Sequence, residues 1–175
     1  NNAMTNTSID FNGFRFLPPS LGAWIKSHIE KRHFEGSIPW TPLPKALNEL
    51  TFAMVTSAGI NHKSDPPFDM EREKREPLYG DRSYRKIPRD TKSTDIDVNH
   101  LHINTNYIKE DINVILPLER MAEFEAEGII GLLAPTAYSY YGFQLESDDF
   151  LTTAILPMAK QMKEENVEVV LLTPA

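Results

Sequence analysis

The last nine residues of the sequence, Val167 to Ala175, form a short apolar run after a polar stretch. A run this short and this rich in β-branched residues is typical of a strand buried on both faces of a sheet. Three earlier runs share the pattern and end in small residues or proline, and they cover residues 52–57, 112–116 and 129–134. Because helical patterns alternate with these runs, we predict an α/β fold, namely a three-layer α/β/α domain with a mainly parallel sheet. The pattern ends on a strand without a covering helix, so we expect the domain to be incomplete at its C-terminus.

The ends of these runs supply the first candidate site residues. In open parallel sheets, ligands bind beyond the carboxyl ends of the strands. The segments Ser57-Ala58-Gly59, Pro135-Thr136 and Thr173 are predicted to lie there. Gly59 permits a positive φ, and Ser57 would present a hydroxyl and a backbone N–H group to an oxyanion or phosphate. Neither GxxxxGK[ST] nor GxGxxG is present, so no nucleotide fingerprint accompanies these residues.

Composition excludes several classes of protein. The 175 residues are 41% apolar and 25% charged, enough for one well-buried core. The net charge of -7 argues against a nucleic-acid partner, which requires a basic surface. No apolar run reaches the ~20 residues of a membrane span, and no signal peptide opens the chain, so we expect no membrane association and a cytoplasmic location. There is no cysteine, which excludes a disulfide, a thiolate metal site and a thiol nucleophile within these residues.

The chain divides into two parts. Residues 1–39 are predicted to hold a short remnant of an expression vector before Met4, a polar tail, and an amphipathic helix that starts at Ser20 and stops at Gly36. Residues 40–175 are predicted to form the α/β domain, interrupted by a long loop at about 61–110 with little apolar periodicity. A loop of this length in a compact domain is either functional or disordered. Within it, residues 71–76 form a mixed charge run typical of a solvated turn or short helix.

Two stretches of this loop carry further candidates. Residues 80–90 include Asp81, Arg85 and Arg89, and arginine forks bind carboxylates and phosphates in a bidentate manner. The alternative for these charges is a surface ion-pair network. His100 and His102 are two residues apart, which places them on one face of an extended segment. A metal site there has no fixed third ligand, so a substrate or hydrogen-bonding role for His100 and a packing role stay open.

Ordered blocks from Trp40 onward carry a resemblance to a known family. The blocks are Trp40-Thr41-Pro42, residues 50–59, His62-Lys63, Gly80-Asp81, residues 83–85, Ile87-Pro88, residues 111–113, Pro117-Leu118, Glu127-Gly128, residues 133–135 and residues 170–174. They resemble the selenoprotein B family of the glycine/betaine/sarcosine/D-proline reductases, with the selenocysteine-bearing D-proline reductase subunits as the nearest match. Residues 69–79 depart from that pattern through their high charge, and 100–102 only approximate the family's histidine segment.

The resemblance implies a reductase subunit. In that family the last strand runs into a redox motif of selenocysteine or cysteine followed two residues later by cysteine. We therefore expect the nucleophile directly after Ala175, with the present sequence cut at a selenocysteine codon and inactive as it stands. The chain itself would bind no cofactor. A partner subunit would supply a pyruvoyl group that forms a Schiff base with a small amino-acid substrate, and a selenolate would then cleave its C–N bond, with thiol and disulfide as the redox couple.

Residue roles within the matching blocks are hypotheses. We expect Arg85 and Arg89 to bind the substrate carboxylate, and His100 or Asp81 to carry protons. One alternative is a non-catalytic α/β subunit that binds an anion or serves as a scaffold. Another is a metal enzyme that uses His62, His100 and His102. The uncovered last strand also predicts self-association into a homo-oligomer.

Overall fold

The computed structural model describes residues 13–29, 40–76, 78–100, 103–145 and 147–175. They fall into two compact units, Asn1–Pro42 and Leu43–Ala175. In the first unit, a 3-10 turn at Gly13–Phe16 precedes helix α1, Pro19–Ile29. The helix predicted from Ser20 is confirmed and starts one residue earlier, because proline fits the first helical turn. The predicted stop at Gly36 lies outside the described residues.

The second unit alternates strands and helices. Its strands are β1 Thr51–Thr56, β2 Ile60–His62, β3 Tyr84–Pro88, β4 Ile96–Val98, β5 Leu132–Leu133, β6 Thr136–Tyr140 and β7 Val169–Thr173. Its helices are α2 Met70–Arg75, α3 Asn106–Glu110, α4 Leu118–Ala126, α5 Ser147–Phe150 and α6 Leu156–Glu164, with 3-10 turns at Leu47–Glu49, Ser93–Asp95 and Ile112–Val114. A π-helical segment, Leu151–Ile155, joins α5 to α6. Pro157 lies in the first turn of α6, as its missing N–H group predicts.

Strand β1 is the centre of the main sheet. Along one edge it pairs in parallel with the whole of β7, from Phe52↔Val169 to Thr56↔Thr173. Along the other edge, β5 pairs with the start of β1 and β6 with its end, both in parallel. Strand β3 adds to the far side of β6 in the antiparallel sense, and β2 pairs with β4 in a separate antiparallel ribbon. The predicted α/β class with a mainly parallel sheet is confirmed.

Apolar side chains pack on both faces of this sheet. Phe52 and Met54 belong to one buried cluster with residues of α3 and α4, such as Ile108 and Met121. Val55 belongs to a second cluster, which contains Tyr138 of β6 and three residues of the α5–α6 region, Ala154, Met158 and Met162. Since successive side chains of a strand point to opposite faces, the clusters lie on either side of β1. The sheet is therefore the middle of three layers.

Two of the predicted strands are wrong in whole or in part. Residues 112–116 form a 3-10 turn and its continuation, because the Asp111 carboxylate accepts a hydrogen bond from the Asn113 N–H group and caps the turn. The apolar residues there are buried at i, i+3 and i+4, which is the spacing of a helical turn. In the run 129–134, only Leu132–Leu133 is a strand. The first half of that run belongs to the turn that follows α4, in which Gly128 has a φ of +71°.

The segment 61–110 is not a loop. It contains β3 and β4, the short helices α2 and α3, and most of β2. Its elements are too short for a periodic pattern to show in sequence, and β3 gains its stability by pairing with β6 rather than from its own composition. Within the described ranges, no helix is both long and apolar enough to cross a bilayer.

Strand β7 forms but is not buried on both faces. Val170, Leu171 and Leu172 are 40%, 38% and 70% exposed, because β1 is the one described strand with which β7 pairs. An apolar edge strand with free backbone groups is a template for another chain. The prediction of a strand here is confirmed, whereas the prediction of two covered faces is wrong.

Self-association through β7 is a testable consequence. We expect the purified chain to exceed its monomer mass in light scattering, and Leu172→Lys to lower that mass because a charge on the edge opposes pairing. Leu78→Lys is the matched control, since Leu78 is 62% exposed and lies outside the sheet. A monomer at every concentration, or an equal response to the two substitutions, would remove β7 as the contact.

Candidate functional site

The carboxyl ends of β1, β6 and β7 meet at one edge of the sheet. The N–H group of Ser57 donates to the carbonyl oxygen of Thr173 at 3.3 Å, and the N–H group of Ala175 donates to Ser57 Oγ at 3.0 Å. The Thr173 hydroxyl donates to the carbonyl oxygen of Val55 at 3.3 Å. We call residues 57–59, 141–142 and 173–175 the carboxyl edge. The structure thus places Ala175 beside the turn that follows β1.

Gly59 is required by the shape of that turn. Its φ is +63°, and a Cβ atom there would lie 2.6 Å from the carbonyl oxygen of Asn99. The N–H group of Gly59 donates to the carbonyl oxygen of Tyr140 at 3.0 Å, and its carbonyl accepts from the N–H group of Asn99 at 2.9 Å. The turn is therefore fixed by β6 on one side and by residue 99 on the other.

The backbone N–H groups of this turn are already engaged. Ser57 donates to Thr173, Ala58 donates to the Thr56 hydroxyl oxygen at 3.3 Å, and Gly59 donates to Tyr140. A backbone anion cradle, the arrangement predicted for Ser57 to Gly59, would need these groups to point at a ligand. What the turn offers is the half-buried Ser57 hydroxyl, whose oxygen accepts from Ala175 and whose proton can be donated onward.

Residue 142 closes the other side of the turn. The N–H group of Gly142 donates to the carbonyl oxygen of Ser57 at 3.1 Å, and Ala58 forms an antiparallel bridge with Tyr141. A Cβ atom on Gly142 would lie 3.1 Å from Ser57 Cβ. The close approach brings the end of β6 directly against Ser57.

His100 reaches the same edge. Its ring centroid lies 5.5 Å from that of Tyr141, with the planes tilted by 57°. His62 contacts Ser64, whose hydroxyl oxygen lies 2.7 Å from His62 Nδ1. His102 is outside the described residues. Among the residues that the structure describes, no group of three His, Cys, Asp or Glu side chains could hold a metal ion.

Asp81 and Arg85 hold the chain between β2 and β3. Asp81 is buried, and its carboxylate accepts from the N–H groups of Asp69 and Ser83, both at 2.8 Å, and from the Ser83 hydroxyl. The guanidinium of Arg85 donates to the carbonyl oxygens of Pro66 at 2.8 Å and Pro67 at 3.0 Å. It also donates to the Ser83 hydroxyl and stacks 4.2 Å from the centre of the Phe68 ring. Both side chains are thus engaged within the protein.

Arg89, Pro135 and Thr136 are not brought to the carboxyl edge. Arg89 pairs with Glu125 and donates to the carbonyl oxygen of Leu133 at 2.6 Å, and its N–H group donates to Pro135. The Thr136 hydroxyl donates to Glu165 at 2.8 Å. These residues lie at the start of β6, because β5 and β6 follow one another along the same edge of β1. The segment 134–136 is a crossing between two strand pieces rather than the end of a strand.

Glu125 gives the structure a predicted pH dependence. The hydrogen bond from Arg89, assisted by the N–H group of Leu133, lowers the pKa of Glu125 despite partial burial. A carboxyl with a lowered folded pKa stabilises the protein above its unfolded pKa of about 4.3, and that stability is lost as the pH falls through the folded pKa. We expect Glu125→Gln to reduce the loss of unfolding free energy between neutral and acidic pH.

The measurement is urea unfolding of the wild type and the variant at several pH values. Glu127→Gln is the control, because Glu127 is exposed two residues along the same helix end. Other carboxyls also contribute to the change of unfolding free energy with pH. The result is therefore the difference between the two variants in that change. Equal slopes for both variants would show that the Arg89–Glu125 pair contributes no pH-dependent stability.

Glu73 and Tyr141 were not predicted as site residues. Glu73 is 5% exposed, and its Oε1 atom accepts from the Tyr141 hydroxyl at 2.6 Å. Burial, and then this hydrogen bond to Glu73, raises the pKa of Tyr141. The mixed charge run 71–76 indicated a solvated segment, which holds for its neighbours but not for Glu73. The one signal in sequence was the i, i+3 spacing of Glu73 from Met70, which marks one helix face.

Two surface cavities lie away from the carboxyl edge. One of about 630 Å³ is lined by residues around the Lys92–Glu119 ion pair, and one of about 390 Å³ lies beside the Lys45–Glu168 ion pair. No lining residue of either belongs to the carboxyl edge. Both are open and flanked by charges of both signs, so size alone does not make them the better candidates for chemistry.

Comparisons with known proteins give one consistent result. Residues 28–175 match the family model described as glycine/sarcosine/betaine reductase selenoprotein B. The chain is 37% identical over 134 residues to the D-proline reductase subunit gamma of Acetoanaerobium sticklandii, a match over 77% of this chain and 52% of that protein. It is 29% identical over 139 residues to the glycine reductase complex component B subunit gamma of Carboxydothermus hydrogenoformans, over 78% of this chain and 30% of that protein. No solved structure matches. The chain thus spans about half the length of the first of these relatives and about a third of the second.

Proposed function

The chain belongs to the glycine/sarcosine/betaine reductase selenoprotein B family, and from this premise we propose that it forms part of a reductase subunit. The reaction is reductive cleavage of the C–N bond of a small amino acid or its N-methyl derivative. The substrate classes are D-proline, glycine, sarcosine and betaine. D-proline comes first among them, since the relative at 37% identity is a D-proline reductase subunit. The proposal places the complex in the cytoplasm.

The observation that carries the proposal is the position of Ala175. Its N–H group bonds Ser57 Oγ, so the chain passes the turn after β1 as it leaves β7. We place the selenocysteine or cysteine nucleophile directly after Ala175, in a segment that the longer relatives have room for. Pro174 and Ala175 are exposed and Ser57 is half-buried, which leaves access for a substrate and a partner subunit.

The chain's own residues orient the reaction. The Ser57 hydroxyl can donate to the selenolate or thiolate and hold it in place. His100, beside Tyr141, is the group suited to protonate the departing nitrogen, because an imidazole changes its charge near neutral pH. A pyruvoyl group on the partner subunit would supply activation of the substrate amine. The C–N bond breaks, the nitrogen takes up a proton and becomes an amine, and two electrons come from thiols that become a disulfide. The amine departs from glycine, sarcosine or betaine, whereas in D-proline the ring opens and the amine stays in the product.

The structure gives less support to the predicted role of Arg85 and Arg89, which was to bind the substrate carboxylate. Both guanidinium groups are engaged within the protein, and Arg89 lies at the start of β6. The carboxylate of a substrate would have to replace those contacts. We therefore propose that the groups that donate hydrogen bonds to the substrate carboxylate belong to the partner or to residues beyond this segment.

The gene itself tests the proposal first. We expect an in-frame TGA codon directly after codon 175, followed by a cysteine codon two positions later. A different stop codon there, or a codon for an amino acid other than selenocysteine or cysteine, refutes the proposed nucleophile. The 175 residues alone are expected to be inactive.

Activity is the second test. The longer subunit, with cysteine in place of selenocysteine, is assayed with the pyruvoyl partner and a dithiol on D-proline, glycine, sarcosine and betaine. Turnover that disappears when this cysteine is replaced by serine supports the proposal. No turnover on any of the four would favour the alternative, a scaffold subunit that binds its partner through the exposed edge of β7.

A further inference from the structure

Tyr141 of the carboxyl edge forms a buried hydrogen-bonded pair with Glu73. Tyr141 is fully buried and Glu73 is 5% exposed, so the bond of 2.6 Å between them is shielded from water. A hydrogen bond in such surroundings is stronger than one at the surface. The pair fixes the position of the Tyr141 ring, which has two rotatable side-chain bonds and no other freedom.

The Tyr141 ring faces the two features on which the proposed chemistry depends. Its Cδ2 atom is 3.1 Å from the point where a Cβ atom of Gly59 would stand, so the ring is in tight contact with the turn. Its centroid is 5.5 Å from that of His100. A displacement of the ring would therefore move both the turn that holds Ser57 and the imidazole.

The backbone of Tyr141 is tied to the same place. It forms a bridge with Ala58, and its carbonyl oxygen accepts from Gln144 Nε2 at 2.8 Å. Gln144 also donates to the carbonyl oxygen of Asp81 at 2.6 Å. Helix α2, which carries Glu73, is in turn held by Asp81 through the N–H group of Asp69. Glu73 thus reaches Tyr141 from a segment that is itself tied, through Asp81 and Gln144, to the backbone of Tyr141.

We propose that the Glu73–Tyr141 pair is a positioning device for the reactive edge: Glu73 holds the Tyr141 hydroxyl, and the Tyr141 ring sets the orientation of His100 and the Gly59 turn. Its catalytic meaning rests on the proposed function. Neither residue touches the substrate. The charged run around Glu73 serves in this view to bury one carboxylate while its neighbours stay solvated.

Tyr138 supplies a matched control. It is also fully buried and lies three residues earlier, within β6, but its hydroxyl has no hydrogen-bond partner among the described residues. Tyr141→Phe and Tyr138→Phe therefore make the same chemical change, and one of them breaks a bond to Glu73. Glu73→Gln is the conservative variant, since its amide oxygen can still accept from Tyr141.

The first arm of the test is NMR of the 175-residue chain and does not depend on activity. The His100 ring signals are assigned from a His100→Gln variant and recorded below the unfolding transition. We expect Tyr141→Phe to shift these signals and broaden them, whereas Tyr138→Phe and Glu73→Gln leave them near their wild-type positions. If Tyr141→Phe leaves them as unchanged as Tyr138→Phe does, the inference is overturned.

The second arm is steady-state kinetics of the full-length subunit in its complex. Misplacement of reacting groups slows the chemical step more than substrate binding. We expect Tyr141→Phe to lower kcat on the order of tenfold with KM within about twofold, and Tyr138→Phe to leave both unchanged. A wild-type kcat for Tyr141→Phe overturns the inference. If the wild-type complex shows no turnover, the proposed function fails, and the His100 signals alone decide whether the pair positions the edge.

Discussion

Gly80→Ala is expected to prevent folding of the second unit or to leave it severely destabilised. A Cβ atom at this position would overlap the carbonyl oxygen of Phe143 and lie 2.9 Å from its carbonyl carbon. Both are backbone atoms, so no side-chain rotation can relieve the overlap. Gly80 is also buried, which leaves the chain no room to move outward. We expect a loss of more than about 4 kcal/mol of unfolding free energy, above the ~1–3 kcal/mol typical of overpacking, because the overlap is with backbone atoms.

The control separates crowding from backbone strain. Gly128 has a φ of +71°, but a Cβ atom there would meet nothing within 4 Å. Gly128→Ala should therefore cost only the conformational penalty, about 1 kcal/mol. Urea unfolding of the wild type and both variants gives the comparison. Similar losses for the two variants would mean that the approach of residue 80 to residue 143 is looser than the structure has it.

The expected loss of stability matters for the site because Asp81, next to Gly80, connects the start of α2 to the segment after β6. Asp81 anchors the start of α2 through Asp69, and its carbonyl oxygen accepts from Gln144, next to the end of β6. Helix α2 carries Glu73, which bonds Tyr141. The close packing at Gly80 thus positions Asp81, and Asp81 positions the residues that hold Tyr141 against the turn at Gly59.

Some of the fold could be predicted because its signals are local. β1 and β7 are dense in apolar residues, α4 is followed by Gly128 with a positive φ, and Pro157 must lie near a helix start. The apolar run 112–116 satisfied the strand pattern equally well. What decided it was the Asp111 cap and burial at helical spacing, and both depend on neighbours that short-run periodicity does not show.

The same distinction applies to the site, where some contacts follow from local signals in the sequence and others do not. The meeting of Ser57 with residues 173–175 could be predicted because parallel strands bring their carboxyl ends together. The positions of Pro135 and Thr136 could not, since two short strands share one edge of β1 in a way that no repeat in the sequence announces. The burial of Glu73 could not be predicted, because charged residues are rarely buried without a partner. Its partner, Tyr141, is 68 residues away in the sequence.

Arg85→Ala is expected to reduce stability, by about 2 kcal/mol, before it affects any substrate. Arg85 is half-buried and donates to the carbonyl oxygens of Pro66 and Pro67 and to the Ser83 hydroxyl. Alanine removes these bonds, a further one to the carbonyl oxygen of Tyr84, and the stacking on Phe68. The proline carbonyls belong to exposed residues and can bond water instead, which keeps the loss below that of a fully buried charge.

Two further variants identify the cause. Arg82→Ala is the control, because Arg82 pairs with Asp149 at 3.3 Å at the surface and should contribute less than about 1 kcal/mol. Arg85→Lys keeps the positive charge but loses the planar fork, so it should lose nearly as much stability as alanine. A substrate-binding role would produce the reverse pattern, in which Arg85→Ala unfolds at the wild-type urea concentration while KM rises and lysine restores part of the binding. The wild-type midpoint in urea for Arg85→Ala would therefore overturn the structural role, because none of the bonds to residues 66, 67 and 83 could then be contributing to the fold.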